Sequence, residues 1–333
     1  MNKIVIIGGG FAGLTALRIL SKNLKLGLDI TLIDKKETTD FLPMLADCIG
    51  RKINPDWLNY KIEKVARKRF KFIKDEVILI DLDKRIVFTK NQTFDYDYLI
   101  IASGSETNFY GNDNIKNNSF TLDCVDDVKK IIDALSKNKF DNFIIAGGGY
   151  TGVELATNLR VYLKKNKRKG KIIIVERASE ILGVLPDWIK NYVKENLKRL
   201  NIDVYVNNTV EKINEDKVYL SDGNRFEDAI VFWVAGVRTC EFIQNLKLEK
   251  NAQGRIKVDQ YLRINDHCFA AGDVALFNYD KGFLRMAVQF AILEGKTAAL
   301  NIINSIKGKK LKKFKPYDLG YIIPLANNQS CGV

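Results

Sequence analysis

The chain has 333 residues, enough for roughly two domains of ordinary size. Apolar residues make up 46% and charged residues 28% of the sequence, which excludes a disordered or fibrous chain. The 53 Lys and Arg residues against 40 Asp and Glu residues leave a formal charge of +13, and this surplus favours anionic partners without choosing among them.

The cysteines and the histidine narrow the chemistry that the chain can support. Five cysteines are scattered without a Cys-x-x-Cys pair, and His267 is the only histidine. A disulfide framework, a structural zinc site and a Ser-His-Asp triad are therefore not expected, and a reducing cytoplasm fits best. No apolar run reaches the ~18 residues of a membrane span, and the apolar run at the N-terminus is too short for a signal peptide.

The first predicted unit in chain order is a strand, a glycine turn, a helix and a second strand. A β-branched run at residues 4–7 leads into Gly-x-Gly-x-x-Gly at Gly8, Gly10 and Gly13, and the second strand ends at Asp34. The first glycine permits the tight turn, the second lets the backbone approach a pyrophosphate, and the third lets the helix pack closely on the strand. The helix N-terminus attracts phosphates, and Asp34 can accept hydrogen bonds from a ribose. This unit predicts a dinucleotide site.

The same unit occurs a second time further along the chain. A strand precedes the turn at Gly147, Gly149 and Gly152, and the strand after the next helix ends at Glu176. A carboxylate there bonds the 2′-hydroxyl of NAD and repels the 2′-phosphate of NADP, so it favours NAD, although the adjacent Arg177 can soften the repulsion. Two complete copies in one chain predict two dinucleotide sites.

Further strands and helices are predicted between and after the two units. A strand-rich stretch covers residues 77–102, and residues 123–135 are predicted as a charged, exposed helix. Helices are also predicted at 186–200 and 283–306, the second of which is too charged to span a membrane. No Pro- or Ser-rich linker separates these parts, which indicates domains that interleave.

In these motifs the chain resembles the flavoproteins with two dinucleotide-binding domains, in which the first unit holds FAD and the second holds NAD(P)H. Residues 96–104 resemble the segment that connects the domains of that group, with Ser103 where the group has Thr. Residues 268–275 resemble its second FAD signature, in which Asp273 would bind the ribityl chain. The matches span nearly the whole chain.

Within that group the chain resembles the type II NADH:quinone oxidoreductases. Four segments carry the resemblance, at residues 41–50, 147–154, 233–237 and 286–295. It implies one FAD per chain, transfer of a hydride from NADH to the flavin, and transfer of two electrons to a quinone at the membrane. Leu293 departs from the family, which has a glutamine at that position of the quinone-site helix.

The resemblance also implies which residues form the site. Gln289 would lie near the flavin ring and the quinone, and Glu154 near the nicotinamide and the flavin, as the catalytic residues; no metal is implied. The expected FAD-binding residues are Gly8, Gly10, Phe11, Ala12, Gly13, Asp34, Lys35, Pro43, Val77, Ala102, Ser103, Gly104, Gly272, Asp273 and Val288. The expected NADH-binding residues are Gly147, Gly149, Tyr150, Thr151, Gly152, Glu176, Ala235 and Gly236.

The predicted fold class is α/β, with two Rossmann-like FAD/NAD(P)-binding domains of three layers and the NADH domain inserted in the FAD domain. Residues 1–110 and 246–306 are assigned to the FAD domain, residues 111–245 to the NADH domain, and residues 307–333 to the start of a C-terminal membrane or interface region. The family continues beyond this region, so we expect a chain that is cut short.

The expected partners follow from the charge and from the resemblance. A basic run at residues 307–315 could face an anionic leaflet, where each basic residue contributes about 1 kcal/mol. We expect NADH, a quinone or another electron acceptor, and in the full-length protein an anionic membrane surface; a homodimer is left open. No nucleic-acid recognition module is visible. The expected location is the cytoplasm, peripheral on the inner face of the cell membrane.

Other functions stay open on the sequence alone. An NADH-dependent reductase of a soluble acceptor (oxygen, a ferredoxin or rubredoxin, or a disulfide) would carry the same motifs. A sulfide:quinone oxidoreductase needs redox cysteines beside the flavin, whereas we expect Cys48 and the other cysteines to be small buried side chains. A redox-responsive binding flavoprotein, which is not an enzyme, would form a long-lived reduced complex with negligible turnover.

Overall fold

The structure, a computed structural model, describes residues 1–66, 70–137, 139–279 and 282–333. The chain forms two compact units, and each unit is assembled from three segments. Unit 1 consists of Met1–Thr39, Tyr60–Glu106 and Val237–Leu319, and unit 2 consists of Asp40–Asn59, Thr107–Gly236 and Gly320–Val333.

The helices of the described residues are α1 (Phe11–Ser21), α2 (Leu45–Arg51), α3 (Ile62–Ala66), α4 (Asp113–Asn118), α5 (Val125–Ser136), α6 (Tyr150–Lys165), α7 (Asp187–Arg199), α8 (Glu241–Gln244) and α9 (Val288–Ile306). The strands are β1 (Asn2–Ile7), β2 (Leu28–Asp34), β3 (Thr38–Asp40), β4 (Asn59–Lys61), β5 (Lys71–Lys74), β6 (Val77–Asp81), β7 (Ile86–Thr89), β8 (Thr93–Asp95), β9 (Tyr98–Ile101), β10 (Glu106–Thr107), β11 (Asn142–Ala146), β12 (Lys171–Val175), β13 (Ile202–Tyr205), β14 (Val210–Asn214), β15 (Lys217–Leu220), β16 (Arg225–Phe226), β17 (Ala229–Trp233), β18 (Val237–Arg238), β19 (Ile256–Lys257), β20 (Cys268–Ala270), β21 (Ala275–Leu276), β22 (Asn278–Tyr279), β23 (Gly282–Phe283), β24 (Ile322–Pro324) and β25 (Ser330–Gly332). Among these helices, none combines the length and the apolar character needed to cross a bilayer.

Unit 1 is built around a five-stranded parallel sheet with the order β20-β9-β1-β2-β5. β1 lies between β9 and β2, and its last four residues are buried, as expected for a parallel sheet that is covered on both faces. Ile4 and Ile6 belong to a core shared with α1 and α9, whereas Val5 and Ile7 belong to a core shared with β6, β7 and α8. The sheet therefore has a packed layer on each side.

Two glycines, which lack a Cβ atom, let the backbone of α1 lie in direct contact with neighbouring backbone. A Cβ atom on Gly13 would lie 1.9 Å from the carbonyl oxygen of Gly8, and one on Gly295 would lie 2.2 Å from that of Ala12. No larger residue fits at either position unless a helix moves, because protein cores are close-packed. These contacts fix the start of α1 against β1 and against α9.

Unit 2 repeats the plan with a four-stranded parallel sheet in the order β13-β12-β11-β17. Phe143 and Ile145 of β11 face a core formed with α5, α6 and α7. Ile144 faces the opposite side, where the antiparallel strands β14 and β15 supply Val210 and Val218 to the core. The predicted α/β class with Rossmann-like parallel sheets is confirmed.

Two segments of unit 2 lie outside residues 111–245, the range that the sequence predicts for the NADH domain. Asp40–Asn59 packs there because the buried face of α2 joins the core under α6, and a Cβ atom on Gly50 would lie 2.5 Å from Oδ1 of Asn158. Gly320–Val333 forms the hairpin β24–β25, and its apolar residues Ile323 and Leu325 are buried in the same core.

Two helices differ from their predictions. The helix predicted over 283–306 begins at Val288, because Ala287 is extended and the residues at 282–283 form β23 instead. The helix predicted over 123–135 is α5, and it is not exposed all round, since Val128, Ile131 and Leu135 are buried at helical spacing.

Candidate functional site

The glycine turn of unit 1 is shaped by one strained position and one open position. Gly8 has a φ of +103°, and a Cβ atom there would lie 2.2 Å from the carbonyl oxygen of Ala102, so only glycine fits. Gly10 is the N-cap of α1, and a Cβ atom there would meet nothing within 4 Å. α1 thus begins without a side-chain cap and beside open space, as a helix that receives a phosphate does.

The glycine turn of unit 2 has the same construction. Gly147 has a φ of +117°, and a Cβ atom there would lie 2.7 Å from the carbonyl oxygen of Val234. Gly149 is the N-cap of α6 and borders open space within the same 4 Å limit, while a Cβ atom on Gly152 would lie 1.9 Å from the oxygen of Gly147. The chain therefore builds the same open glycine turn twice.

The acids at the strand ends are held by backbone N–H groups. Asp34 accepts hydrogen bonds from the N–H of Gly9 at 2.6 Å and of Lys36 at 2.8 Å. Burial raises the pKa of Asp34, and these N–H groups act in the opposite direction. Because each carboxylate oxygen has a further lone pair, the acid can still accept from a ribose hydroxyl.

Glu176 has the equivalent arrangement in unit 2. It accepts hydrogen bonds from the N–H of Gly148 at 2.7 Å and of Ala178 at 2.8 Å. The middle glycine of each turn, Gly9 or Gly148, thus orients the acid, a role that the sequence analysis missed. The available signal was the unbroken run of three glycines in each turn, since the Gly-x-Gly pattern requires only the first and the last of them.

Residues 268–275, which resemble a second FAD signature, pack against the start of α1 in unit 1. The segment begins with β20, and a Cβ atom on Gly272 would lie 3.3 Å from Cβ of Ala12 and 3.6 Å from Cβ of Ala291. Asp273 accepts a hydrogen bond from Oγ of Ser105 at 2.8 Å. Three small residues from α1, α9 and this segment therefore meet at one place.

Glu294 of α9 binds the backbone of this segment, although it belongs to none of the predicted site residues. Its side chain is 2% exposed, and Oε2 accepts a hydrogen bond from the N–H of Gly272 at 2.6 Å. Burial raises the pKa of Glu294 to about 8, against the opposing effects of that N–H group and of Arg255. The available signal was its position at i+4 from Phe290 and i−4 from Ala298, on the apolar face of the helix.

Gln289, one of the two predicted catalytic residues, lies in the first turn of α9 in unit 1. Its Nε2 donates to Oδ1 of Asp318 at 3.1 Å, and its Oε1 accepts from the N–H of Leu319 at 2.9 Å. Asp318 is also paired with the guanidinium of Arg285, whose Nη2 lies 2.7 Å from Oδ1. The amide is therefore oriented at both of its ends.

Glu154, the other predicted catalytic residue, lies in the first turn of α6 in unit 2. Burial and the negative charge of Asp47 raise its pKa to about 8, although Arg51 acts in the opposite direction. Asp47 is paired with Nε of Arg51 at 3.1 Å, and Asn158 donates to the backbone oxygen of Glu154 at 3.0 Å. Near neutral pH this carboxyl group can hold a proton.

The remaining predicted residues divide between the two units. Unit 1 contains Phe11, Ala12, Lys35, Val77, Ala102, Ser103, Gly104 and Val288. Unit 2 contains Tyr150, Thr151, Ala235 and Gly236, and also Pro43, which the sequence analysis grouped with the FAD-binding residues. Val77 is 7% exposed and packs in the core of its unit.

Cysteines and clustered acids are the other side chains that could carry chemistry. Burial and the charge of Asp47 raise the pKa of Cys48 to about 11, which disfavours a reactive thiolate. None of the five cysteines forms a disulfide. Across the described residues no group of three His, Cys, Asp or Glu side chains is arranged to hold a metal ion.

Glu154 predicts a pH dependence of stability. Its folded pKa of about 8 exceeds its ordinary value of 4.5, so the native state holds a proton that the unfolded chain has released, and stability falls as the pH rises between these values. Glu154→Gln should flatten the decline in the thermal unfolding midpoint between about pH 5 and about pH 9. The exposed Glu195→Gln on α7 is the matched control and should keep the wild-type slope. A Glu154→Gln slope equal to that of the wild type would contradict the assignment.

Comparisons with known proteins show which family the chain belongs to. The sequence model of the pyridine nucleotide-disulphide oxidoreductase family matches residues 2–295. Proteins of Staphylococcus haemolyticus and Staphylococcus aureus, each named Type II NADH:quinone oxidoreductase, are 27% and 26% identical, and each alignment covers 100% of this chain and 89% of the relative.

Solved structures show the same fold at lower identity. NDH2 from Plasmodium falciparum in complex with NADH superposes with a TM-score of 0.85 at 19% identity, covering 99% of this chain and 89% of that one. The sulfide:quinone oxidoreductase of Aquifex aeolicus gives a TM-score of 0.82 at 21% identity, covering 100% and 87%. Since the family model matches most of its length, the chain belongs to the pyridine nucleotide-disulphide oxidoreductase family.

Proposed function

We propose that the chain is a flavoprotein NADH dehydrogenase that passes a hydride from NADH to FAD and two electrons onward to a quinone. The observation that carries this proposal is the open glycine turn built twice, at Gly10 and at Gly149, with the segment at Gly272 accompanying only the first. The quinone as acceptor is taken from the staphylococcal relatives, whose printed name is Type II NADH:quinone oxidoreductase.

Unit 1 is the proposed FAD unit. The open space at Gly10, the uncapped start of α1 and the meeting of small residues at Gly272 fit a pyrophosphate and its ribityl chain. Asp34 would accept from the adenosine ribose, and Asp273 from the ribityl hydroxyls. When bound, FAD supplies the hydride acceptor and the route for electrons, so the protein binds and orients the cofactor.

Unit 2 is the proposed NADH unit. The two backbone N–H groups that donate to Glu176 orient its carboxylate at the end of β12. A carboxylate there would accept a hydrogen bond from a 2′-hydroxyl and repel a 2′-phosphate. The guanidinium of Arg177 lies 5.6 Å from the ring centroid of Tyr110, which engages it in a cation–π contact. Both features favour NADH over NADPH.

The two proposed catalytic residues have different tasks. Glu154 would hold a proton on its carboxyl group, because its pKa of about 8 lets it gain or lose that proton near neutral pH. Gln289 would face the oxygen of an acceptor with its amide group, which Asp318 and the N–H of Leu319 orient in the first turn of α9.

We further propose that the protein is peripheral on the inner face of the cell membrane. The lysines at positions 307–315 are exposed, and Tyr317 and Leu319 next to them are 70% and 75% exposed. Basic residues beside exposed apolar ones suit an anionic leaflet, where each charge contributes about 1 kcal/mol.

The membrane proposal predicts salt-sensitive binding to lipid. The protein should sediment with vesicles that contain phosphatidylserine and not with vesicles of phosphatidylcholine alone, and high salt should release it. Replacing the lysines at 312 and 313 by glutamate should weaken the binding, whereas the same change at the exposed Lys22 and Lys25 should leave more of it. Equal sedimentation with both vesicle types would refute an electrostatic contribution.

A bulky substitution in either glycine turn should remove the binding of one cofactor and spare the other. Gly10→Val should abolish FAD retention, because its side chain enters the open space while φ at this position, −82°, is ordinary for any residue. Gly149→Val, with φ of −77°, should keep FAD but prevent NADH from bleaching it. FAD content and anaerobic NADH titrations measure the two effects, with circular dichroism to confirm folding.

Gly183→Val is the matched control for these variants. Gly183 also borders open space in unit 2, and it should behave like the wild type in both measurements. Gly10→Val that retains FAD, or Gly149→Val that NADH still bleaches at wild-type concentrations, would contradict the proposed division between the units.

A further inference from the structure

Residues 272–275, which follow β20 in unit 1, are held at both ends by charged side chains. The N–H of Gly272 donates to Oε2 of Glu294 at 2.6 Å. The carbonyl oxygen of Ala275 accepts from Nε and Nη2 of Arg255 at 3.1 and 2.6 Å. The first N–H group and the last carbonyl group of this short segment are therefore fixed by hydrogen bonds to groups that can carry charge, and such bonds are stronger than neutral ones.

The two anchoring side chains come from elements outside the segment. Glu294 lies on α9, and Arg255 directly precedes β19, whose Ile256 pairs with Ala275 of β21. Glu294 is 2% and Arg255 is 5% exposed, and Nη1 of Arg255 also donates to the backbone oxygen of Leu284 at 3.0 Å. Because burial of ionisable groups is costly unless hydrogen bonds compensate, these contacts constrain both side chains.

Asp273 lies between the two anchored ends. Of the four residues 272–275, all of which the structure describes, only Asp273 is half-buried and not buried. Its Oδ2 accepts from Oγ of Ser105 at 2.8 Å. Burial raises the pKa of Glu294, and the charge of Asp273 raises it further, whereas the N–H of Gly272 and the charge of Arg255 lower it. The three charged groups thus lie close enough to influence one another.

We propose that Glu294 and Arg255 are positioning residues that hold the backbone on either side of Asp273 and so present its carboxylate to the ribityl hydroxyls of FAD. The inference rests on the proposed function, because it needs FAD in unit 1. It adds two residues, neither of them among the predicted cofactor-binding residues, to those that prepare the flavin site. Without them the segment would have to be ordered when FAD binds, which weakens binding.

The rate at which FAD leaves the protein tests the contact made by Glu294. Each FAD-loaded protein is diluted, and the flavin that stays with it is measured over time. Glu294→Leu should release FAD about tenfold faster than the wild type, because the buried N–H of Gly272 loses its acceptor. Glu294→Gln keeps an acceptor oxygen in a side chain of the same shape and should stay within about threefold of the wild-type rate.

Arg255→Lys provides a milder second variant, which keeps the test decisive if Glu294→Leu fails to fold. Lysine keeps the positive charge, but its single amine does not reproduce the planar set of donors that reaches the oxygens of Ala275 and Leu284. This variant should release FAD about threefold faster than the wild type.

A double-mutant cycle with Asp273 separates positioning from a general loss of stability. Asp273→Ala removes the carboxylate that the two anchoring side chains are proposed to present, and it should itself speed the release of FAD. In this background Glu294→Leu should add little, because both changes remove the same interaction. Amide hydrogen exchange of residues 272–275, measured in excess FAD, is a readout apart from FAD release: it should be faster in Glu294→Leu and unchanged in Glu294→Gln.

Asn301→Leu is the matched control on the same helix. Asn301 is fully buried about two turns beyond Glu294 and donates to the backbone oxygens of Tyr261 and Lys312, each at 3.0 Å. Its replacement should lower the thermal unfolding midpoint, while FAD release and the exchange of residues 272–275 stay as in the wild type.

Three results would overturn the inference while the proposed function stands. The first is release of FAD at the wild-type rate from Glu294→Leu or from Arg255→Lys. The second is a Glu294→Gln variant that loses FAD as fast as Glu294→Leu, and the third is a double variant whose losses multiply, which would make the two side chains general supports of the fold. A wild-type protein that takes up no FAD would instead overturn the proposed function, and the inference with it.

Discussion

The contact between a helix start and the carbonyl group of its own glycine turn is the constraint on which both units depend. Gly13 and Gly152 each leave room for an oxygen that a Cβ atom would approach to 1.9 Å. That contact seats the helix over the end of the central strand and directs its first N–H groups into open space. The acid at the end of the next strand and, in unit 1, the segment at Gly272 are arranged around the same point.

Each unit also contains an acid whose pKa is raised by burial. The chain carries a charge of +13, yet Glu154 and Glu294 are held where burial raises the pKa of each to about 8. Glu294 is used structurally, since it binds the N–H of Gly272. The pKa of Glu154 is set by burial and by the charges of Asp47 and Arg51, so this acid is the better candidate for a proton that moves.

The parts of the site that were predictable from sequence are those whose determinants lie close together in the chain. The glycine turns and the acids Asp34 and Glu176 follow from local spacing, because one strand–turn–helix–strand unit contains them. The arrangement around Gln289 was not predictable, since Asp318 is far from it in sequence and reaches it through a segment without helix or strand. The packing of Asp40–Asn59 in unit 2 likewise depends on the contact between α2 and α6.

The most direct test of the account is an anaerobic titration of the FAD-loaded wild-type protein with NADH, followed by addition of a short-chain quinone. The account predicts that one NADH per flavin bleaches the visible flavin band and that one quinone per flavin restores it. NADPH should bleach the band only at much higher concentration. A flavin that NADH does not bleach, or a reduced flavin that oxygen or a disulfide reoxidises while quinone does not, would contradict the central claim.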